Sequence, residues 1–520
     1  MTNNIYRITM EYTKKYRTPI IWIILCATVV NIFSLVYSYT YKYVIDSVIQ
    51  KDSVVYWLLL MLGILIVNTF MTYWIYSYYL AVFKIRIAND LRLNTFKSIM
   101  MRPYPFFRKN DSGSILVKLL DDPRQMSDYI ALYHFIYIGN SLRFVITFSF
   151  LFSLNSLLSV VILLSIPVYY FTVRFSFKKL NRSNEEERTA FDRLSYEIKD
   201  SIDGIKSIKA GEHESFFSKR MGRILQEWFV TERRIMIWNG LVQIVRDFVK
   251  SFIPLFVIFI GVWEISQGRL SVGGLVAFLG LVDAAYLPVD EIIYFKVKKA
   301  NVNTLFNRNA ELNTYESPSS TGYVFKDHQA DNRIRILNLT KKHGEELLFE
   351  NLNFEHTGNG LILIHGPNGK GKTTLLNLIK NMDRADEGSI EVQARSGMAY
   401  LPQEAQMFNL SVRENIYFDK KSAIEVPSFT EIHTVENPDK DYYRNERLSG
   451  GEKQKVGLSR IFVQDRGIWL LDEPEKNLDR QTFQSLYNAL SLQKKQRLIV
   501  MVTHQPELQK IADRIVRIGD

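Results

Sequence analysis

Apolar residues along the chain fall into two regimes. In the N-terminal part they form six runs, at about 19–41, 55–83, 131–153, 156–177, 241–263 and 273–295, each near the roughly 20 residues that a helix needs to cross hydrocarbon. Ahead of the first run, Ile5, Ile8, Tyr12 and Tyr16 recur at helical spacing, which predicts a short interfacial helix over 1–18. Periodicity fades between 301 and 330, where Asn, Ser, Thr and Gly accumulate, as in Ser317-Pro318-Ser319-Ser320-Thr321-Gly322. That stretch reads as a linker. From Ile334 the pattern becomes an alternation, Ile334-Arg335-Ile336-Leu337-Asn338-Leu339, and then apolar runs of strand length at 361–364 and 498–502. The chain therefore divides into a membrane domain over 19–300 and a second domain over 331–520.

The polar segments between the runs set an orientation. Arg86, Arg92, Lys97, Arg102, Arg108, Lys109, Lys118 and Arg124 crowd the long link between the second and third runs, and another long basic link separates the fourth and fifth. The remaining links are short and carry few basic residues, so the positive-inside rule puts the long links and both termini in the cytoplasm. The first run is too long for a signal peptide and ends without a small-residue cleavage site.

The net charge is +11, but the basic residues sit beside apolar segments rather than in a stripe with interleaved aromatics. This fits a membrane surface and argues against nucleic acid. The single cysteine, Cys26, lies inside an apolar run, which excludes an intrachain disulfide.

Ionisable residues inside the runs stand out, because a charge at the bilayer centre costs about 2.5–3.5 kcal/mol even on the lenient insertion scale. These are Arg143 in the third run, Arg246, Asp247 and Lys250 in the fifth, and Asp283, Asp290 and Glu291 in the sixth. Two readings stay open. They line a hydrated cavity that meets a polar or charged substrate, or they form ion pairs, such as Arg246 or Lys250 with Asp290 or Glu291, that hold the spans together.

The second domain carries Gly366-Pro367-Asn368-Gly369-Lys370-Gly371-Lys372-Thr373-Thr374 between an apolar run and the helical pattern Leu375-Leu376-Asn377-Leu378-Ile379. This is the spacing of a phosphate-binding loop. Its glycines let backbone N–H groups converge on phosphate oxygens at a helix N-terminus, Lys372 adds a full positive charge, and the Thr373 hydroxyl can ligate Mg²⁺.

Leu448-Ser449-Gly450-Gly451-Glu452-Lys453-Gln454 and Ile468-Trp469-Leu470-Leu471-Asp472-Glu473-Pro474 follow in order. The first resembles the LSGGQ signature of ATP-binding cassette (ABC) proteins, with Glu452 where Gln is usual, and the second resembles their Walker B strand and catalytic glutamate. Phrases at 91–96 with Phe106-Phe107 and 113–122, at 197–209, and at 268–278 with Leu287-Pro288 are similar to the intracellular loops and last span of exporter-type ABC membrane domains. The resemblance implies an α-helical six-span exporter domain followed by a cytoplasmic α/β P-loop ATPase domain with a helical subdomain. It also implies coupling helices at the tips of the long loops, near 121–125 and 211–215.

By the same resemblance ATP is held by Gly366, Asn368, Gly369, Gly371, Lys372, Thr373, Thr374 and Gln403, with His343 at the position of the residue that stacks on adenine. Mg²⁺ falls to Thr373, Gln403 and Asp472, catalysis to Glu473 and the switch histidine His504, and dimer communication to Asp479. Ser449, Gly450, Gly451 and Glu452 would act in trans on ATP bound by a second ATPase domain, so the chain is expected to be a half-transporter that dimerises, with itself or with a related chain.

The implied function is ATP-driven export across the cytoplasmic membrane. The mixed charge of the spans and the abundance of tyrosine lean toward a peptide, as in the bacteriocin branch, over a lipid or a drug. An ATP-dependent membrane regulator or sensor and an importer of the same fold are the other readings. The segment from Gln403 to Ser449 is shorter than the family norm, Arg444-Asn445-Glu446-Arg447 replaces the usual acidic-glycine phrase, and no terminal helices follow Asp520. No cysteine-peptidase domain precedes the first run, so leader removal by a fused protease is not expected.

Overall fold

Each of the six apolar runs lies inside a longer helical stretch of the computed structural model, which describes residues 2–110, 112–313, 322–327, 331–343, 346–418, 426–430, 442–443 and 448–518. The membrane part consists of α1 (Thr2–Lys15), α2 (Arg17–Gln50), α3 (Val55–Phe70), α4 (Tyr79–Met100), α5 (Tyr104–Lys109), α6 (Ser112–His134), α7 (Asn140–Leu154), α8 (Ser156–Asp203), α9 (Ile205–Ala210), α10 (Glu214–Ser266) and α11 (Val272–Asn313). Two π-helical stretches, Met71–Tyr78 and Phe135–Gly139, join α3 to α4 and α6 to α7. Among the described residues five stretches are long and apolar enough to cross a membrane, and a shorter apolar one, Ser156–Thr172, opens α8. The turn into α11 is built by Asp46 on α2, whose carboxylate accepts from Ser271 Oγ at 2.7 Å and from Gly273 N at 3.0 Å. Glycine is required there, because a Cβ at Gly273 would stand 2.3 Å from the Lys42 carbonyl.

The apolar stripe of α1 packs on protein, with Ile5, Ile8 and Tyr12 buried against Phe83, Leu91, Met126 and Phe306. Two expectations change here. The first loop does not turn at 121–125, which lies inside α6; it turns at α5, between Pro103 in extended conformation and Asn110. The helix continues through Pro123, and Asp122 is buried in an ion pair with Arg308 at 3.0 Å. The second turn does fall at Gly211, after α9. Of the linker over 301–330, residues to Asn313 continue α11 and Tyr323–Asp327 form a strand.

The chain separates into two compact units, the second comprising Glu316–Asp520 together with Arg102–Ser112. In that unit β1 (Tyr323–Asp327), β2 (Arg333–His343), β3 (Glu346–Thr357) and β5 (Glu387–Ala394) form a mainly antiparallel sheet in the order β1-β5-β2-β3. A five-stranded parallel sheet, β11-β4-β10-β9-β6, is built from β4 (Gly360–His365), β6 (Met398–Leu401), β9 (Ile468–Asp472), β10 (Leu498–Val502) and β11 (Arg514–Arg517). Its middle strand, β10, is apolar and buried at every position because both faces of the sheet are covered. Ile362, Ile364, Leu470, Val500 and Val502 enter one core cluster, while Leu361, Leu363, Trp469, Leu471, Ile499 and Met501 enter the other. The unit also contains the short antiparallel pair β7 (Leu410–Ser411) and β8 (Tyr442–Tyr443), and the helices α12 (Lys372–Ile379), α13 (Val412–Tyr417), α14 (Gly450–Phe462) and α15 (Arg480–Gln493).

Candidate functional site

The loop after β4 is shaped by glycines in the left-handed region, Gly369 at φ 82° and Gly371 at φ 85°, where an L side chain is strained. It delivers the chain into α12 at Lys372. The Lys372 ammonium donates to the carbonyls of Gly366 at 2.9 Å and Pro367 at 3.0 Å, and to Asn368 Oδ1 at 3.4 Å. Around this loop lies a cleft of about 810 Å³ whose lining includes Asn368, Gly369, Gly371, Lys372, Thr373 and Thr374, with Gln403, Glu473 and His504 facing them.

Two of the residues singled out in the sequence, Gln403 and His504, both touch a third, Glu473. Gln403 Nε2 donates to Glu473 Oε2 at 2.8 Å, and His504 Nε2 lies 3.4 Å from Glu473 Oε1. They come from the ends of three neighbouring strands, β6, β9 and β10, which place side chains at the carboxyl edge of the parallel sheet, where α/β folds bind ligands. Glu473 has φ 46°, an uncommon backbone state for a non-glycine residue that clusters at functional sites.

Behind it Asp472 is fully buried, and neither of its carboxylate oxygens has a hydrogen-bond partner. Burial raises its pKa, the neighbouring Glu473 charge adds to the rise, and the nearby Thr373 hydroxyl opposes it. An unsatisfied buried carboxylate beside a hydroxyl fits a divalent cation. Among the described residues no cluster of three or more acidic, His or Cys side chains forms a ready-made metal cage, as befits Mg²⁺, which keeps water and phosphate ligands alongside one or two carboxylates.

Ser449 begins α14 as a capping box: Glu452 N donates to Ser449 Oγ at 3.3 Å, and Glu452 Oε2 accepts from Ser449 N at 2.8 Å and Ser449 Oγ at 2.7 Å. Glutamate in place of glutamine thus has a local reason, since the carboxylate closes the first helical turn. Gly451 faces Asn477 so closely that a Cβ would stand 2.7 Å from the Asn477 carbonyl oxygen. Ser449, Gly450 and Gly451 are not among the described residues lining the Lys372 cleft. Asp479 caps α15, accepting from Thr482 N and Thr482 Oγ1, both at 2.8 Å, and these bonds hold its carboxyl below the ordinary range.

His343 ends β2, paired in register with Glu346; its side chain lies outside the described residues, as do Arg444, Asn445, Glu446 and Arg447.

Other contributors carry no motif that announces them. Glu475 is buried and accepts from Thr503 Oγ1 at 2.5 Å and from His504 N at 3.3 Å, which fixes the backbone that presents His504. Buried Gln454 donates to the carbonyls of Glu473 and Pro474 at 3.3 and 3.2 Å, tying α14 to the turn after β9. Arg460 on α14 donates to Asn415 O at 2.6 Å and Gln406 O at 2.7 Å, clamping the segment that follows Gln403; burial lowers its pKa to about 10. Tyr104 of α5 also lines the cleft. A glutamate two positions beyond Asp472-Glu473 was visible in the sequence, but its partner Thr503 is set by strand pairing.

In the membrane unit Lys250 pairs with Asp290 at 2.5 Å, and Tyr169 donates to the same carboxylate. Glu291 pairs instead with Arg143 at 3.5 Å, and Arg246 with its own neighbour Asp247 at 3.3 Å. Asp283 is exposed. Arg143 and Glu291 border a cavity of about 160 Å³ that also meets Asn31, whose buried amide nitrogen lacks an acceptor.

Residues 20–285 match the family model of the ABC transporter transmembrane region, and residues 349–476 match the ABC transporter model. An ATP-dependent lipid A-core flippase of Burkholderia orbicola (strain AU 1054) is 24% identical over 83% of this chain and 76% of its own. The Mesentericin-Y105 transport/processing ATP-binding protein MesD of Leuconostoc mesenteroides is 23% identical over 96% of this chain and 72% of its own. A bacterial Atm1-family ABC exporter solved with ATP bound has the same fold, with a TM-score of 0.80 at 17% identity over 97% of this chain and 94% of that one. A membrane-region match covering more than half the length, with an ATPase match behind it, identifies the chain as a member of the ABC transporter family, multi-pass membrane proteins that couple ATP hydrolysis to transport.

Proposed function

We propose that this chain is an ABC exporter half that dimerises with a second copy of itself and uses ATP hydrolysis to move a substrate out across the cytoplasmic membrane, with both termini in the cytoplasm. The observation that carries this reading is the contact of Gln403 and His504 with Glu473 at the mouth of the Lys372 cleft. Glu473 is the base that accepts a proton from the attacking water, Gln403 orients the carboxylate, and His504 approaches the terminal phosphate. Lys372 and the loop N–H groups hold the phosphates. Thr373, Asp472 and Gln403 would hold Mg²⁺, which neutralises charge on the phosphates.

Because Ser449, Gly450 and Gly451 stand apart from this cleft, they serve the ATP of the partner copy, and Asp479 lies on the path between the two sites. His343, at the end of β2, is assigned to the adenine side.

For the substrate, a peptide is the reading best supported by the charged side chains Arg143, Arg246, Asp247, Lys250, Asp283, Asp290 and Glu291 and by the relative that carries mesentericin in its name. A lipid is the second reading, supported by the relatives named lipid A-core flippase. The test is reconstitution in proteoliposomes with ATP on the cytoplasmic side. ATP-dependent accumulation of a peptide against its gradient supports the proposal. Accumulation of lipid alone replaces the substrate, and ATP turnover that no substrate alters or follows replaces export with the regulatory reading.

A further inference from the structure

The lining of the nucleotide cleft comes from one continuous stretch of sequence with a single exception. Among the described residues, every lining side chain lies between Glu346 and His504 except Tyr104. Tyr104 opens α5, within the segment Arg102–Ser112 that groups with the ATPase residues. The segment is folded on itself. Phe106 N donates to Pro103 O at 3.0 Å, Asn110 N and Nδ2 donate to Phe106 O at 3.0 and 2.9 Å, and the Arg102 guanidinium lies 5.5 Å from the Phe106 ring centre.

These contacts occupy its neighbours and leave Tyr104 45% exposed and facing the cleft. Glu346 and Leu348 of β3 complete the lining beside the phosphate-binding loop and Gln403, Glu473 and His504. Tyr104 shares this lining with Lys372, Thr373 and Thr374 of that loop and with Gln403, Glu473 and His504, and its phenol interacts electrostatically with that of Tyr400, three positions before Gln403.

We propose that Tyr104 is a nucleotide-binding residue whose hydroxyl donates to the terminal phosphate of ATP in the cleft it lines with Lys372, Gln403 and Glu473. A neutral donor suits this place, since Glu473 already puts negative charge there and the phosphate oxygens need donors that do not compete as bases. Tyr104 also lies on the link between α4 and α6, two long helices of the membrane unit. ATP and ADP are thereby distinguished by a side chain that is covalently continuous with those helices, without relay through the ATPase core. The inference rests on the reading of the cleft as the ATP site.

The test is equilibrium binding of ATP, ADP and inorganic tripolyphosphate, each with Mg²⁺, to the full chain in lipid nanodiscs. Wild type, Tyr104→Phe, Tyr104→Ala and Lys372→Ala are compared. A hydrogen bond to a charged group corresponds to a loss of roughly tenfold or more. Tyr104→Phe should therefore weaken ATP and tripolyphosphate by about tenfold while moving ADP much less, at an unchanged melting temperature. Equal binding of all three ligands by Tyr104→Phe and wild type overturns the proposal. So does loss of ATP and ADP alike in Tyr104→Ala with tripolyphosphate unaffected, which would place the ring on the base. If Lys372→Ala binds ATP as well as wild type does, the cleft itself is misread, an outcome distinct from failure at Tyr104.

Discussion

Gln403 donates to Glu473 across 2.8 Å, joining the segment after β6 to the residue that follows β9. The bond leaves the other carboxylate oxygen toward His504 and fixes the orientation of a carboxylate that lines the cleft. Glu473→Gln keeps the size of the side chain and removes the base. Turnover should fall by at least about tenfold, as general-base loss gives, while ATP remains bound and the dimer stays closed. Hydrolysis and nucleotide retention measured on the same preparation check this, and near-normal turnover would remove Glu473 from the role.

This pairing shows what the residues alone could and could not say. The glycine loop, Asp472-Glu473 and the strand ending in His504 are local patterns, so each was readable on its own. That Gln403 and His504 flank the same carboxylate depends on the order β4-β10-β9-β6 in the sheet, which no local pattern encodes. The pairing of Glu452 with Ser449 is legible in the sequence, since Ser-x-x-Glu is a helix-start pattern. The first loop differs because the resemblance alone set its tip near 121–125, whereas the turn is opened by Pro103 and the buried Asp122–Arg308 pair lies within the helix that continues through Pro123. Lys250 with Asp290 was among the pairings anticipated; Arg143 with Glu291 was not, because the register between α7 and α11 is a matter of packing.

Burial raises the carboxyls of Asp472 and Glu475 above the ordinary carboxylate range. The native chain then holds protons that the unfolded chain has already released. Stability is therefore greatest below the unfolded value near 4 and declines as pH rises through that value toward the folded one. Melting of the nucleotide-free protein across this range should show the decline, and Asp472→Asn should flatten part of it. Above the window the variant should be more stable by about 1–3 kcal/mol, the cost of an unsatisfied buried polar group. Mg²⁺ with ATP should stabilise wild type and not the variant. An unaltered pH slope in Asp472→Asn would contradict the account of Asp472.

His343 occupies the strand end assigned to adenine. His343→Tyr offers a larger ring and should tighten ATP by about 0.5–1.5 kcal/mol, the range of aromatic pairs, and His343→Ala should loosen it. Maximal turnover should change much less than the half-saturating ATP concentration, because neither variant touches Lys372 or Glu473. Titration of hydrolysis with ATP at fixed Mg²⁺ decides it. Three identical half-saturation points would make His343 a bystander.

The Lys250–Asp290 and Arg143–Glu291 pairs can serve folding or transport, and charge exchange separates these roles. If Lys250 and Asp290 only hold helices together, the double variant Lys250→Asp with Asp290→Lys recovers both stability and transport. If they meet substrate, the exchanged pair folds, keeps basal ATPase activity and transports at least about tenfold less. The expected result is the second, with membrane insertion and ATP turnover measured beside transport. Full transport by the exchanged pair would assign it to folding.

The central claim is that two copies of this chain build each ATP site, with Lys372 from one and Ser449 from the other. Complementation between inactive variants tests it most directly. Lys372→Ala removes the phosphate cation, and Ser449→Asp keeps a good helix-capping residue while setting a carboxylate against the partner's phosphate. Each variant alone should hydrolyse ATP at background rate. Co-expressed and isolated as the mixed dimer, they contain one site with intact Lys372 and intact Ser449, and hydrolysis should return to a substantial fraction of the wild-type rate. A mixed dimer as inactive as its parents, or Ser449→Asp active by itself, would contradict a site shared between copies.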